Sequence, residues 1–183
     1  IFINDTYKIS KFKKDIIIYG NTKDKLRFSK NYINLEYTKS FIKSSSKSYI
    51  LEFLKKEKKI KSDIVELHNR PSYLKYLANL KYPKKVLYFH NDPLEMSGSR
   101  KINDRIFLID NLDKIIFNSS WSKSRFIKKL PIAYLSSNKL IVIKQSISRK
   151  QINLKKKKKT IIFVGKLNSA KGYDIFGKAI IKI

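Results

Sequence analysis

Lys85–Phe126 reads KVLYFHNDPLEMSGSRKINDRIFLIDNLDKIIFNSSWSKSRF, and two periods alternate along it. Lys85 to His90 is a short apolar run of the kind that forms a buried strand, and Asp92 to Ser99 follows as a loop. From Lys101 to Leu112, Ile102, Ile106 and Ile109 recur at helical spacing and predict a helix with one buried face. Lys114 to Asn118 is apolar again and predicts a strand. Ser120 to Leu130 predicts a further helix, with Trp121, Phe126 and Leu130 along its apolar edge. A strand, a helix, a second strand and a second helix make βαβ units, which require a parallel sheet.

The same rhythm extends in both directions. Upstream, Asp63 to His68 predicts a strand and Ser72 to Leu80 a helix with Leu74, Leu77 and Leu80 as its buried stripe. Ser48 to Ile60 predicts a helix with lysines on its outer side, and Asp15 to Gly20 (DIIIYG) a buried strand closed by glycine. Between them, short edge strands are expected at Leu26 to Phe28 and Ile33 to Tyr37. Downstream, Leu140 to Ile143 predicts another strand. Residues 1–150 are therefore expected to form one Rossmann-like α/β domain with a mostly parallel sheet. The five lysines Lys155 to Lys159 repel one another and cannot enter a core, so 151–159 reads as a basic linker. Beyond it, Ile161 to Val164 predicts a strand ending at Gly165, and Ala170 to Ile183 a helix with Phe176, Ala179, Ile180 and Ile183 on one face. Residues 160–183 thus open a second βα unit.

Composition bounds the function. In 183 residues there is no cysteine, which excludes disulfides, thiolate metal sites and cysteine nucleophiles and makes a reducing cytoplasm the expected location. No apolar run approaches the roughly 20 residues a membrane helix needs. The net charge of +28 invites nucleic acid or an anionic membrane as a partner. It also has a plainer source, since Lys, Ile, Asn, Tyr and Phe are abundant and Gly (5), Pro (4) and Trp (1) scarce, the usage of an A/T-rich coding sequence. The start at Ile1 and the end at Ile183, inside a helix without a stop signal, lead us to expect a piece of a longer protein.

The chemistry-bearing residues gather at strand ends. His68 and His90, the only two histidines, close consecutive predicted strands, and Ser119 and Ser120 follow the next. In an open parallel sheet these ends form the rim of the ligand crevice. Asn69 and Arg70 follow His68, and Asn91 and Asp92 follow His90. His68 either faces a ligand or holds the Asn69-Arg70-Pro71 turn by a hydrogen bond. Asp92 and Glu95 could serve as an acid/base pair. Gly165, Lys166 and Lys171 flank the loop between the last strand and its helix, where amide groups and the helix dipole favour phosphate; the alternative is that both lysines are solvated loop charges.

The pattern of strand, Gly165, Lys166, Lys171-Gly172 and a helix carrying Asp174 and Phe176 resembles the start of the donor-binding domain in family 4 glycosyltransferases of the GT-B fold. SDIVELHNRP, VLYFHNDP and DKIIFNSSWSKSRF are similar to the acceptor-side domain of the same family. The resemblance implies two Rossmann-like domains, the second only begun in this chain. It implies a transferase, hexosyltransferase-like and retaining, that moves a sugar from a nucleotide-sugar to a carbohydrate or lipid-linked acceptor in envelope polysaccharide or lipopolysaccharide synthesis. His90 matches the family's active-site histidine. Lys166, where the family usually has Arg, and Lys171 match the pair that holds the donor diphosphate. His68, Asn69, Arg70, Asn91, Asp92, Ser119 and Ser120 fall on the acceptor and sugar side.

No metal or other cofactor is expected on this resemblance, only the nucleotide-sugar co-substrate. The chain departs from the family pattern in lacking a Gly-rich loop after its first strand and an Asn-Gly-Val/Ile-Asp turn after Ile143. The family's donor-site Glu-x7-Glu pair would fall beyond Ile183, so the stretch alone is expected to be inactive. The expected location is cytoplasmic, with peripheral contact to the inner face of the membrane. Two other readings compete: a basic nucleic-acid-binding protein, disfavoured because no zinc-ligand set or RNP-like motif is visible, and a non-catalytic sugar-binding remnant.

Overall fold

The computed structural model describes residues 2–22, 31–36, 44–145, 161–165, 167 and 169–181. The expected edge strand at Leu26 to Phe28, the lysine linker, Lys166 and Asn168 lie outside the described residues. The chain divides into two compact units, Ile1–Ser148 and Arg149–Ile183.

The first unit is α/β and its sheets are parallel, as the alternating periods predict. Its elements run α1 (Phe2–Ile9), β1 (Ile18–Gly20), β2 (Tyr32–Asn34), α2 (Ser45–Ile60), β3 (Ile64–His68), α3 (Leu74–Leu77), β4 (Lys84–Phe89), α4 (Ile102–Asn111), β5 (Lys114–Phe117), α5 (Ser120–Ile127), α6 (Ile132–Leu135) and β6 (Leu140–Val142). The main sheet has the order β3-β4-β5-β6, every neighbour parallel, and β1 pairs with β2 in a separate parallel ribbon.

Strand alternation decides which face is core. Val65, Leu67, Leu87, Phe89, Ile115, Phe117 and Leu140 are buried together with Phe53 of α2, Leu74 and Leu77 of α3, Leu108 and Ile109 of α4 and Phe126 of α5. Phe89 and Phe117 stack at 5.6 Å, and Phe126 leans on both from α5 at 5.6 and 5.2 Å. Packing of this density fixes how β4, β5 and α5 sit against one another, and therefore where their ends lie. The ribbon joins through Tyr19, whose ring meets Phe53 edge-on at 5.0 Å.

Caps set the element ends. The Ser44 hydroxyl accepts from the Lys47 N–H at the start of α2, and at its end the buried Glu57 carboxylate accepts from the Ser62 N–H at 2.7 Å and its hydroxyl at 2.8 Å. Arg105, buried in α4, donates to the carbonyls of Ser99, Arg100 and Lys128, tying the loop after β4 to the end of α5.

Three expectations are corrected. The helix predicted over Ser72 to Leu80 is a single 3-10 turn, Pro71–Tyr73, followed by the four residues of α3. Trp121, predicted on a buried edge, is 60% exposed, because α5 turns Phe126 and not Trp121 to the sheet. Ile161 to Val164 forms no strand among the described residues, and Val164 is 91% exposed. A parallel strand exists only through a neighbour's ladder, and the described residues of this unit supply none.

Candidate functional site

The C-terminal edge of the main sheet gathers the polar residues of three strands. Beneath them, alternation assigns Glu66, His68, Tyr88 and His90 to the face opposite the apolar core. The rings of His68, Tyr88 and His90 form one nearly parallel stack, with centroids 4.5 Å apart for Tyr88–His90 and 5.1 Å for His68–His90. The Tyr88 hydroxyl donates to the Ile143 carbonyl at 2.7 Å, pinning the stack to the end of β6.

Within the stack His68 Nδ1 and His90 Nε2 are 2.8 Å apart, and the Gln145 side-chain amide contacts His90 Nδ1. Taking the Gln145 amide nitrogen as donor assigns the tautomers. With the amide nitrogen of Gln145 donating, His90 Nδ1 accepts, so His90 carries its proton on Nε2 and gives that hydrogen bond to His68 Nδ1. His68 is then left with an N–H at Nε2, 3.7 Å from Glu66 Oε1, too long for a hydrogen bond. Burial, with the neighbouring His90 ring as a smaller cause, pushes His68 down to about 4. Burial lowers His90 as well and raises the Glu66 carboxyl. Both imidazoles are neutral at pH 7.

The sign of the pH dependence follows. A histidine whose folded value lies below its ordinary 6.5 resists protonation only in the folded state. The His68 contribution to stability is full above pH 6.5 and falls as the pH drops towards 4, by about 3 kcal/mol. Urea midpoints recorded from pH 7.5 to 4 should show this loss, and His68→Gln should flatten it. An equally steep loss in the variant would place the titrating group elsewhere.

The loops are wired to the stack by backbone contacts. Asn69, at φ 54°, accepts from the His90 N–H through Oδ1 at 2.7 Å. Asn118, after β5, donates from Nδ2 to the His90 carbonyl at 2.8 Å, while its Oδ1 accepts from the hydroxyls of Ser122 and Ser119. Ser119 also caps α5 by accepting from the Ser122 N–H. Asp92 caps the next turn, accepting from the Leu94 N–H, and its other oxygen takes Arg125 Nε at 3.0 Å. Burial alone would raise Asp92; the Arg125 and Leu94 hydrogen bonds and the Arg125 charge outweigh it and hold the carboxyl below its usual range. Held ionised in this way, it is disfavoured as the acid of the pair considered with Glu95.

A cleft of about 420 Å³ opens at this edge, lined by His68, Asn69, Arg70, Ser72, Asn91 and Glu95 among others. Gly98 lets its two walls meet. At φ +89° it packs against Ser72, and a Cβ there would lie 2.6 Å from the Ser72 backbone nitrogen. Gly98→Ala should cost about 2 kcal/mol, from the strained φ and the clash with backbone; an unchanged melting temperature would show that the loop moves aside freely. A second cleft, about 550 Å³, lies at the opposite, N-terminal edge of the sheet, away from both histidines.

The structure thus brings together His68, Asn69, Arg70, Asn91, Asp92, Ser119 and His90, and sets Ser120 exposed at the first turn of α5. His68 lines the cleft, whereas both ring nitrogens of His90 face protein partners. Sequence reasoning missed Glu66, Tyr88, Asn118 and Gln145. The first two were readable, each standing two residues before a histidine on a strand and so on its face. Among the described residues no group of three or more His, Asp or Glu side chains is placed to hold a metal ion, and no helix is long and apolar enough to cross a membrane.

In the second unit, Ser169–Lys171 forms a 3-10 turn, and Gly172, at φ +71°, starts α7 (Tyr173–Ile180). Phe163 packs on Tyr173 and Phe176, with centroids 5.6 and 5.2 Å apart. This contact folds the loop so that Gly165 approaches Lys171, whose Cβ is 3.8 Å from where a Gly165 Cβ would stand. Lys171 is exposed.

Comparison with protein-family models, with curated proteins and with solved structures gave no match to this chain.

Proposed function

We propose that this chain carries the acceptor side and the first phosphate-contacting unit of a GT-B glycosyltransferase, which moves a sugar from a nucleotide-sugar to a carbohydrate or lipid-linked acceptor with retention. The observation that supports this reading most is the cleft at the C-terminal ends of β3 and β4, with His68 on its wall and His90 behind it. A neutral imidazole N–H beside Asn69, Arg70 and Asn91 is a hydrogen-bonding wall suited to hydroxyl-rich ligands, and Asp92 and Asn118 hold its loops. In this reading His68 touches the sugar and His90 is a positioning residue that sets the tautomer of His68. Gly165, Lys166 and Lys171 would take the diphosphate, whose charge grows as the sugar leaves. The envelope polysaccharide setting rests on the family resemblance alone.

The test is ligand-induced stabilisation of the full-length protein. Binding to the folded state alone adds about 2.7 kcal/mol at a hundredfold excess over Kd, so one nucleotide-sugar from a panel of UDP-, GDP-, ADP- and CMP-sugars should raise the melting temperature by several degrees. No shift with any of them would remove the donor from the proposal.

A further inference from the structure

The N-terminal edge of the main sheet, remote from the histidines, carries a surface the proposed transfer does not use. Lys61 closes α2, Lys81 precedes β4 and Lys84 opens it; all three are exposed around the second cleft. Apolar side chains stand among them instead of packing. Tyr82 is 49% exposed, Ile60 41% and Ile64 60%, and Ile64 is the register partner of Lys84. Elsewhere along this edge lysines serve the fold: Lys85 Nζ donates to the Leu80 carbonyl at 2.8 Å, Lys114 to Asn138 at 3.0 Å and Lys139 to Ile109 at 2.6 Å. Two acids adjoin the patch. Asp113 accepts from the Lys85 N–H and Asp63 is exposed, so cations remain in excess.

We propose that this edge, centred on Tyr82, docks on an anionic lipid bilayer, with Lys61, Lys81 and Lys84 at the phosphate level and Tyr82, Ile60 and Ile64 entering the interface. Charge complementarity selects an anionic partner, and the apolar members select lipid over nucleic acid. An isoleucine gains by leaving water for the acyl boundary and gains nothing from a phosphodiester backbone. Tyrosine, apolar in body and polar at its tip, suits the headgroup level. Docking this edge leaves the opposite, histidine-bearing edge of the sheet facing away from the bilayer. The inference does not depend on sugar transfer.

Flotation with vesicles of phosphatidylglycerol and phosphatidylcholine tests it in the full-length protein, with circular dichroism confirming that each variant is folded. Each well-placed lysine contributes about fivefold to affinity. The triple variant K61E/K81E/K84E should therefore bind the anionic vesicles more than tenfold more weakly, whereas K101E/K128E/K129E, equal in charge change but elsewhere on the surface, should lose less than threefold. Tyr82→Ser, which alters no charge, should weaken binding severalfold. Equal losses from the two triples would show that diffuse net charge does the binding and would overturn the proposal. So would an RNA oligonucleotide retained through the same three lysines with Tyr82→Ser silent.

Discussion

His68→Ala in the full-length protein is expected to lower turnover between a hundredfold and a thousandfold, the usual cost of removing one donor aimed at the reacting end of a substrate. The expectation rests on the order of the chain Gln145, His90, His68. Each link consumes a ring nitrogen, and the last, Nε2 of His68, which has only Glu66 Oε1 at 3.7 Å among the described residues, belongs to the residue on the cleft wall. His90→Ala should cost less, since it removes only the partner that holds His68 in one tautomer, and His90→Gln, whose amide can still donate to His68 Nδ1, should recover most of that loss. Nitrogen-15 shifts of His68 would register the tautomer directly and should move in His90→Ala. A reversed ranking, with His90→Ala severe and His68→Ala mild, would mean that His90 touches the sugar, as the family resemblance alone implies.

Lys171→Ala is expected to lower turnover about a hundredfold with a smaller effect on acceptor binding. The lysine sits in the turn that leads into α7, close to Gly165, and is exposed. A cation there can neutralise a leaving diphosphate as its charge develops, and that contribution is larger in the transition state than in the bound donor. The loss should therefore appear in kcat more than in KM. Lys171→Arg, which keeps the charge and adds a bidentate fork, should retain most activity. Turnover unchanged in Lys171→Ala would return this lysine to the solvated charges of a lysine-rich surface.

Most of the first unit was legible because its signals are local. Strand runs such as Lys85 to His90 are short and apolar, the helix between β4 and β5 turns Ile106 and Ile109 of its expected face inward but leaves Ile102 exposed, and β3 to β6 all appear within a residue or two of their expected bounds. Strand ends then followed, and with them His68, Asn69, Asn91 and Ser119. Other features depend on contacts that sequence periodicity does not carry. Ile161 to Val164 has the composition of a strand, yet a strand is a property of a pair. Trp121 has the right spacing for burial, but Phe126 fills the place against Phe89 and Phe117. The pairing of the two histidines across β3 and β4 follows from a register that sets His68 beside Tyr88. Gln145 reaches His90 from beyond β6, 55 residues away, and nothing local announces it. Asn118 looks like a loop asparagine, and only the structure shows it holding the His90 carbonyl, the N-cap Ser119 and Ser122 of α5.

The most direct test is release of nucleoside diphosphate by the full-length protein, assayed across the nucleotide-sugar panel with a mixed pool of cell-envelope glycolipids as acceptor. The account predicts that one donor is consumed, that a glycolipid gains the mass of one sugar, and that His68→Ala and Lys171→Ala each suppress both signals. If no nucleotide-sugar is consumed, or if consumption is the same in both variants, the strand-end cleft is not a sugar-transfer site.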